Sequence, residues 1–151
     1  MECAEKTLKE RVRTSRLLGS DPSLVLHGGG NTSAKGRIVD IDGQTIDVIW
    51  VKGSGWDLAT IEDAGFPALD LKKLRKLRAI DELSDEEMVR CVQRCMIDPS
   101  GPSPSIETLV HAFLPHVFID HSHADAILAI SNRVNGEALC QEIFGDRVVA
   151  L

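Results

Sequence analysis

The sequence predicts an α/β fold, and three observations carry the prediction. Charged and aliphatic residues recur at helical spacing over Glu5–Leu18 and again after Ser84. Ile38–Ile41 and Ile46–Val51 are β-branched, apolar runs that flank Asp42-Gly43-Gln44, which reads as a β-hairpin. Val117–Ile119 is a third short apolar run, set between stretches of helical pattern.

A length of 151 residues suits one domain, read over residues 1–151. A hydrophobic content of 43% is enough to fill a core, and a charged fraction of 26% is ordinary for a globular chain. The 17 basic and 23 acidic residues leave a net charge of −6, so no broad basic footprint for nucleic acid exists. With aromatics at 4% and no tyrosine, a base-stacking platform is not expected either. The first residues lack the apolar core of a signal peptide, and no run reaches the length of a membrane span. Cys3, Cys91, Cys95 and Cys140 form no C-x-x-C pair, and reduced thiols in a cytoplasmic protein are the simplest expectation.

In chain order, Gly19 is placed to stop the first helix. Leu24–Leu26 is short and apolar and runs into the loop Gly28-Gly29-Gly30-Asn31-Thr32-Ser33. The hairpin follows, then a second glycine turn, Lys52-Gly53-Ser54-Gly55-Trp56, with Trp56 read as a packing residue. Asp57–Pro67 reads as loop with one short helical turn, and Leu69–Leu77 as a basic amphipathic stretch. Ser84-Asp85-Glu86-Glu87 is a capping-box pattern opening a helix through about Ile97, which carries Cys91 and Cys95. Asp98–Pro104 must be loop, with Ser103 as cap and Pro104 in the first turn of a helix from about Ser105 to Leu114. Ala124–Ile130 and Gly136–Phe144 read as helices, and Val148–Leu151 as a further buried strand. A chain that stops on apolar residues is expected to be the first portion of a longer polypeptide.

Chemistry concentrates in Ser105–His123, which holds four of the five histidines and the carboxylate Glu107. On a strand, His121 and His123 project from one face about 7 Å apart. On a helix they would diverge by about 200°. The pair reads either as two hydrogen-bonded or wet imidazoles at a strand end, or as two ligands of one divalent cation. Glu107 lies just inside its helix, where a carboxylate also suits the dipole, and His111 follows on the same helix face. His111 is read as a structural hydrogen-bond partner, and His27 and His116 as incidental. Gly30 and Asn31 in the first loop, Ser54 and Gly55 in the second, and Ser105 at a helix start form three sets of donors suited to a phosphate. Either loop alone also reads as an ordinary tight turn, and neither is followed by the Lys-Ser/Thr of a P-loop.

The order of these pieces resembles the class II aldolase/adducin family: Gly-Asn-Thr-Ser at 30–33, Gly-Ser-Gly at 53–55, Ser-x-Glu-x-x-x-His at 105–111 and His-Ser-His-Ala-Asp at 121–125. The longer phrases at 26–33, 51–58 and 107–115 look closest to the rhamnulose-1-phosphate aldolase-like part of bifunctional proteins that continue into a short-chain dehydrogenase. The resemblance implies a three-layer α/β/α sandwich with a largely antiparallel central sheet, incomplete at the C-terminus. It implies Glu107 as catalytic acid/base, and His121 and His123 as ligands of zinc or another divalent metal. Gly30, Asn31, Ser54, Gly55 and Ser105 would hold the substrate phosphate. The implied reaction is cleavage of a ketose 1-phosphate, such as rhamnulose 1-phosphate, to dihydroxyacetone phosphate and an aldehyde.

A homo-oligomer in the complete protein is implied as well. The family's third histidine lies further along than this chain extends, so weak metal binding and poor turnover are expected of these 151 residues alone. Ile106 stands where the family often has Ser, one phosphate donor fewer. The sugar-phosphate epimerases of the family carry Asp at the Glu107 position, which argues against that activity. A sugar-phosphate dehydratase and a non-catalytic adducin-like interaction module remain as alternatives.

Overall fold

The structure is a computed structural model in which residues 2–148 are described. The order is α1 (Glu2–Gly19), β1 (Asn31–Val39), β2 (Thr45–Val51), β3 (Ala68–Asp70), α2 (Leu71–Lys76), α3 (Asp85–Gln93), α4 (Thr108–Phe113), β4 (Phe118–His121), α5 (Asp125–Ser131) and α6 (Gly136–Phe144). The four strands form one sheet, ordered β3-β2-β1-β4, with every neighbouring pair antiparallel.

Strand β2 shows why the sheet is covered on both sides. Its residues alternate between faces, and Val48, Ile49, Trp50 and Val51 are all buried. Ile49 and Val51 join Leu71 and Leu74 of α2, Val92 of α3 and Ala112 of α4 in one core. Val48 and Trp50 join Val12 of α1 with Leu58, Ile61 and Phe66 of the following loop in another. Two separate apolar cores on the two faces of one sheet make the three-layer α/β/α sandwich.

The predicted hairpin is present, but its first strand is longer than the sequence pattern suggests. β1 begins at Asn31, inside the stretch read as a glycine loop, because Asn31–Ala34 pair with β4. Asp40 closes the hairpin, its carboxylate accepting the backbone N–H groups of Asp42 and Gln44. Gly19 ends α1 for a reason different from the one its position suggests. A Cβ there would lie 2.3 Å from the Ala59 backbone nitrogen, so glycine is required for the closeness of the passing chain.

The capping box at Ser84 and Glu87 forms as expected. Helix α3 stops at Gln93, short of Ile97, because the chain turns back onto the three-residue strand β3. Leu69 bridges Met96, and the Ile97 N–H donates to the Ala68 carbonyl. Cys95 is buried and its thiol donates to the Cys91 carbonyl, with burial raising its pKa. The expected helices near the C-terminus appear as α5 and α6, tied back by the Asp125 N–H on the Ser23 carbonyl. The strand expected over Val148–Leu151 falls, from residue 149 on, outside the described residues. Among the described residues no helix is long and apolar enough to cross a membrane.

Candidate active site

Among the described residues strand β4 pairs with β1 alone, with His121 directly opposite Asn31 and Ile119 opposite Ser33. Directly paired residues share a face, here the one covered by α4. The turn leading into α4 therefore brings Glu107 against the strand end, and its Oε2 lies 2.7 Å from His121 Nδ1. His123, two residues on, has its ring centroid 4.8 Å from that of His121 with the planes tilted by 56°. Its backbone N–H is fixed on the Leu24 carbonyl at 2.9 Å. The extended His-Ser-His segment thus brings its two imidazoles close together. A pocket of about 560 Å³ opens beside them, lined by Glu107, His111, Ile119 and His121 among others. Among the described residues no group of three or more His, Cys, Asp or Glu side chains is gathered to hold a metal ion.

Behind Glu107 stands His111, one helical turn on and only 2% exposed. Its Nδ1 shares a hydrogen with Ser33 Oγ at 2.8 Å, and its Nε2 lies 3.9 Å from Glu107 Oε2. Burial pushes its pKa down from 6.5 to about 4. The carboxylates of Glu107 and Asp120 pull the other way, and His121 and Lys35 add to the downward push. The imidazole is therefore neutral in the folded protein at pH values where the unfolded chain would protonate it. Stability from this group is complete above pH 6.5 and is lost as pH falls toward 4. The loss is at most on the order of 3 kcal/mol. Urea unfolding across this range is expected to show the slope in the wild type and to lose it in His111→Gln.

The predicted anion-holding pieces come together around a residue that sequence reading passed over. Gly30 has φ +68°, and a Cβ there would meet the His121 carbonyl at 2.9 Å, so only glycine lets the loop pass beneath β4. It delivers Asn31 to the first position of β1. Asn31 is 1% exposed, and neither its Oδ1 nor its Nδ2 has a hydrogen-bond partner among the described residues. Its neighbours are already engaged: Thr32 Oγ1 is 2.8 Å from Ser15 Oγ, and Ser33 is on His111.

In the second turn the Ser54 N–H donates to the Ser103 carbonyl, and Gly55 takes φ +81° at an exposed position. Between the turns lies Lys52, 4% exposed, its Nζ donating to the Gly28 carbonyl at 3.1 Å. Burial lowers its pKa, while Glu107 and then Asp57 raise it. A lysine closing a buried strand just before a glycine turn was the available signal.

The start of α4 differs from the sequence expectation. Ser103 and Pro104 are extended against the second turn, with Pro104 bridging Gly53 and the Ser105 N–H on the Lys52 carbonyl. Ser105 and Glu107 form a turn, and the helix begins only at Thr108 with no side-chain cap. The Ser105 hydroxyl accepts the Glu107 N–H at 3.3 Å, so Ser105 shapes the turn that aims Glu107. Ser105 therefore lies outside α4, which at six residues is too short to supply the helix-start donors expected there.

A four-stranded antiparallel sheet between helical layers, with a His-x-His strand end against a Glu-bearing turn, defines a class II aldolase-like domain. Residues 9–149 match the family described as Class II Aldolase and Adducin N-terminal domain, and the chain belongs to that family. The chain is 48% identical over 144 residues to the Bacillus subtilis (strain 168) protein named "Uncharacterized oxidoreductase YuxG". That match takes in 95% of this chain and 21% of the relative. The solved N-terminal class II aldolase domain of a conserved protein from Thermoplasma acidophilum superposes with a TM-score of 0.85 at 47% identity. The superposition covers 91% of this chain and 64% of that one. The chain thus spans about a fifth of the curated relative and under two thirds of the solved one.

Proposed function

We propose that this domain is the catalytic part of a divalent-metal-dependent aldolase that cleaves a ketose 1-phosphate, rhamnulose 1-phosphate being the representative substrate. The products are dihydroxyacetone phosphate and a short aldehyde. The observation that carries the reading is a buried, unpartnered amide, Asn31, directly across the strand pair from a histidine hydrogen-bonded to a carboxylate.

The donors of His121 and His123 suit zinc in kind, being imidazoles close together, and fall short of a catalytic site's usual three protein ligands in number. These two would hold the cation, and a bound cation supplies Lewis-acid polarisation of the substrate carbonyl. Asn31 and the Gly30 and Gly55 backbones receive the phosphate, with Ser54 and Ser105 at its rim and the Lys52 ammonium as fixed counter-charge. In the cleavage the Glu107 carboxylate takes the proton of the C4 hydroxyl, the C4 oxygen becomes the aldehyde carbonyl as the C3–C4 bond breaks toward C3, and C3 is then protonated. Glu107 delivers the proton to C3, its carboxylate kept in place by the turn that Ser105 shapes. Self-association of the complete protein belongs to the same reading.

Deuterium exchange at C3 of dihydroxyacetone phosphate, followed by NMR on the complete protein in the presence of zinc, isolates the half-reaction these residues perform. Exchange is expected for the wild type and a fall of at least tenfold for Asn31→Leu, which removes a buried hydrogen-bond partner of the substrate. The same variant should be more stable by about 1 kcal/mol, since a buried amide without a partner is replaced by an apolar group of similar shape. A non-catalytic interaction module is the second reading, and the His121–His123 pair against Glu107 argues against it. That reading prevails if the complete protein, extending past Leu151, takes up no zinc and exchanges no deuterium.

A further inference from the structure

We propose that His111 is a positioning residue: held by Ser33, its neutral ring presents an Nε2–H to the Glu107 carboxylate and is that carboxylate's second resting partner when it leaves His121. The inference rests on Glu107 being the proton carrier and adds the device that keeps the carboxylate in its pocket.

Three contacts lead to it. Glu107 Oε2 faces two imidazoles, His121 Nδ1 at 2.7 Å and His111 Nε2 at 3.9 Å. The first is a hydrogen bond, and the second is short of one by about 1 Å, a distance that a side-chain rotation closes. On the far side of His111, Nδ1 meets Ser33 Oγ at 2.8 Å, and among the described residues that hydroxyl has no other partner.

A neutral imidazole carries one proton, so one nitrogen donates and the other accepts. A lone pair at Nε2 would face the negative oxygen and repel it, whereas an N–H attracts it. The proton therefore sits on Nε2, and the Ser33 hydroxyl donates to Nδ1. Ser33 is buried in β1, and its own carbonyl is gripped by Arg11 Nη1 at 3.2 Å, so the ring has a fixed anchor. A serine that anchors the ring and supports the tautomer the carboxylate favours, with a histidine that does not itself take up the proton, confines Glu107 without competing with it.

The test uses the intact chain labelled with ¹⁵N-histidine. Wild-type His111 is expected to show the nitrogen shift pattern of the Nε2–H tautomer. Ser33→Ala should move it toward a mixture, and Glu107→Gln should shift the Nε2–H proton. An Nδ1–H tautomer in the wild type, or an Nε2–H proton indifferent to Glu107→Gln, overturns the proposal. These spectra need no substrate, so they stand whatever becomes of the aldolase reading.

Where the exchange reaction is measurable, two further variants separate positioning from packing. His111→Gln keeps a donor near the Nε2 position, while His111→Asn keeps only the Ser33 contact. Positioning requires Gln to retain kcat and Asn to lose it by about 10- to 100-fold at unchanged KM. Equal activity of the two variants, at equal stability, overturns it.

Discussion

Glu107→Gln is expected to lower the rate of dihydroxyacetone phosphate exchange and of ketose 1-phosphate cleavage by about 10²- to 10⁴-fold, the usual contribution of a positioned acid–base group. The substitution keeps the volume and one hydrogen-bonding oxygen for His121, so the fold has little reason to notice it. The side chain is 33% exposed and sits at the mouth of its turn rather than in either core. The midpoint of urea unfolding should therefore move by less than about 1 kcal/mol equivalent. A loss in kcat with KM unchanged identifies proton transfer, because the group then acts in the transition state and not in binding. A variant that keeps more than half of wild-type kcat would reduce Glu107 to a support for His121.

The second large effect is on stability. Arg11 of α1 is only 1% exposed, and it joins the helix to the two strands beneath the site. Its Nη1 donates to the Ser33 carbonyl at 3.2 Å and the Ile119 carbonyl at 3.4 Å, and its Nε to Ser15 Oγ at 3.1 Å. Nη2 reaches Asp120 Oδ1 at 2.6 Å, and the guanidinium carbon stands 5.6 Å from the centre of the Phe118 ring. Burial lowers the guanidinium pKa and Asp120 raises it.

Arg11→Ala leaves a cavity and takes the donor from the Ser33 and Ile119 carbonyls, and is expected to cost about 3–5 kcal/mol in urea unfolding. Arg11→Lys should recover little, because an ammonium cannot reproduce the planar fork across two carbonyls and a carboxylate. Asp120 itself is half exposed, so Asp120→Asn should cost under about 1 kcal/mol. A change below 1 kcal/mol for Arg11→Ala would show that the apolar cores alone hold β4 in place.

The parts of this architecture that sequence made readable are those whose cause is local. The Ser84 capping box, the Asp40–Gln44 turn and the periodicity of α1, α5 and α6 each depend on residues a few positions apart. Strand β3 was hidden because three residues carry too little pattern, and it exists through pairing with β2. β1 was read short because Asn31, Thr32 and Ser33 look like loop residues, and only pairing with β4 makes them strand.

The site divides in the same way. A His-x-His on extended chain brings its rings together by strand geometry, and that much needs no tertiary knowledge. Lys52 and Ser33 were not recognised because their significance lies in what folds over them. Lysine and serine are ordinary on a surface, and here both are buried. The cap expected at Ser103 failed for a tertiary reason too, since pairing with the second turn holds that segment extended.

The contact between Arg11 and Ile119 spans 108 residues of chain. A ribosome working at about 5–20 residues per second delivers the second partner roughly 5–20 s after the first. Throughout that interval the nascent N-terminal segment holds a cation whose pocket has not yet been synthesised, beside apolar residues awaiting their sheet. The corner where β4 meets Glu107 can therefore close only after most of the described chain has been made, long after Arg11 has emerged.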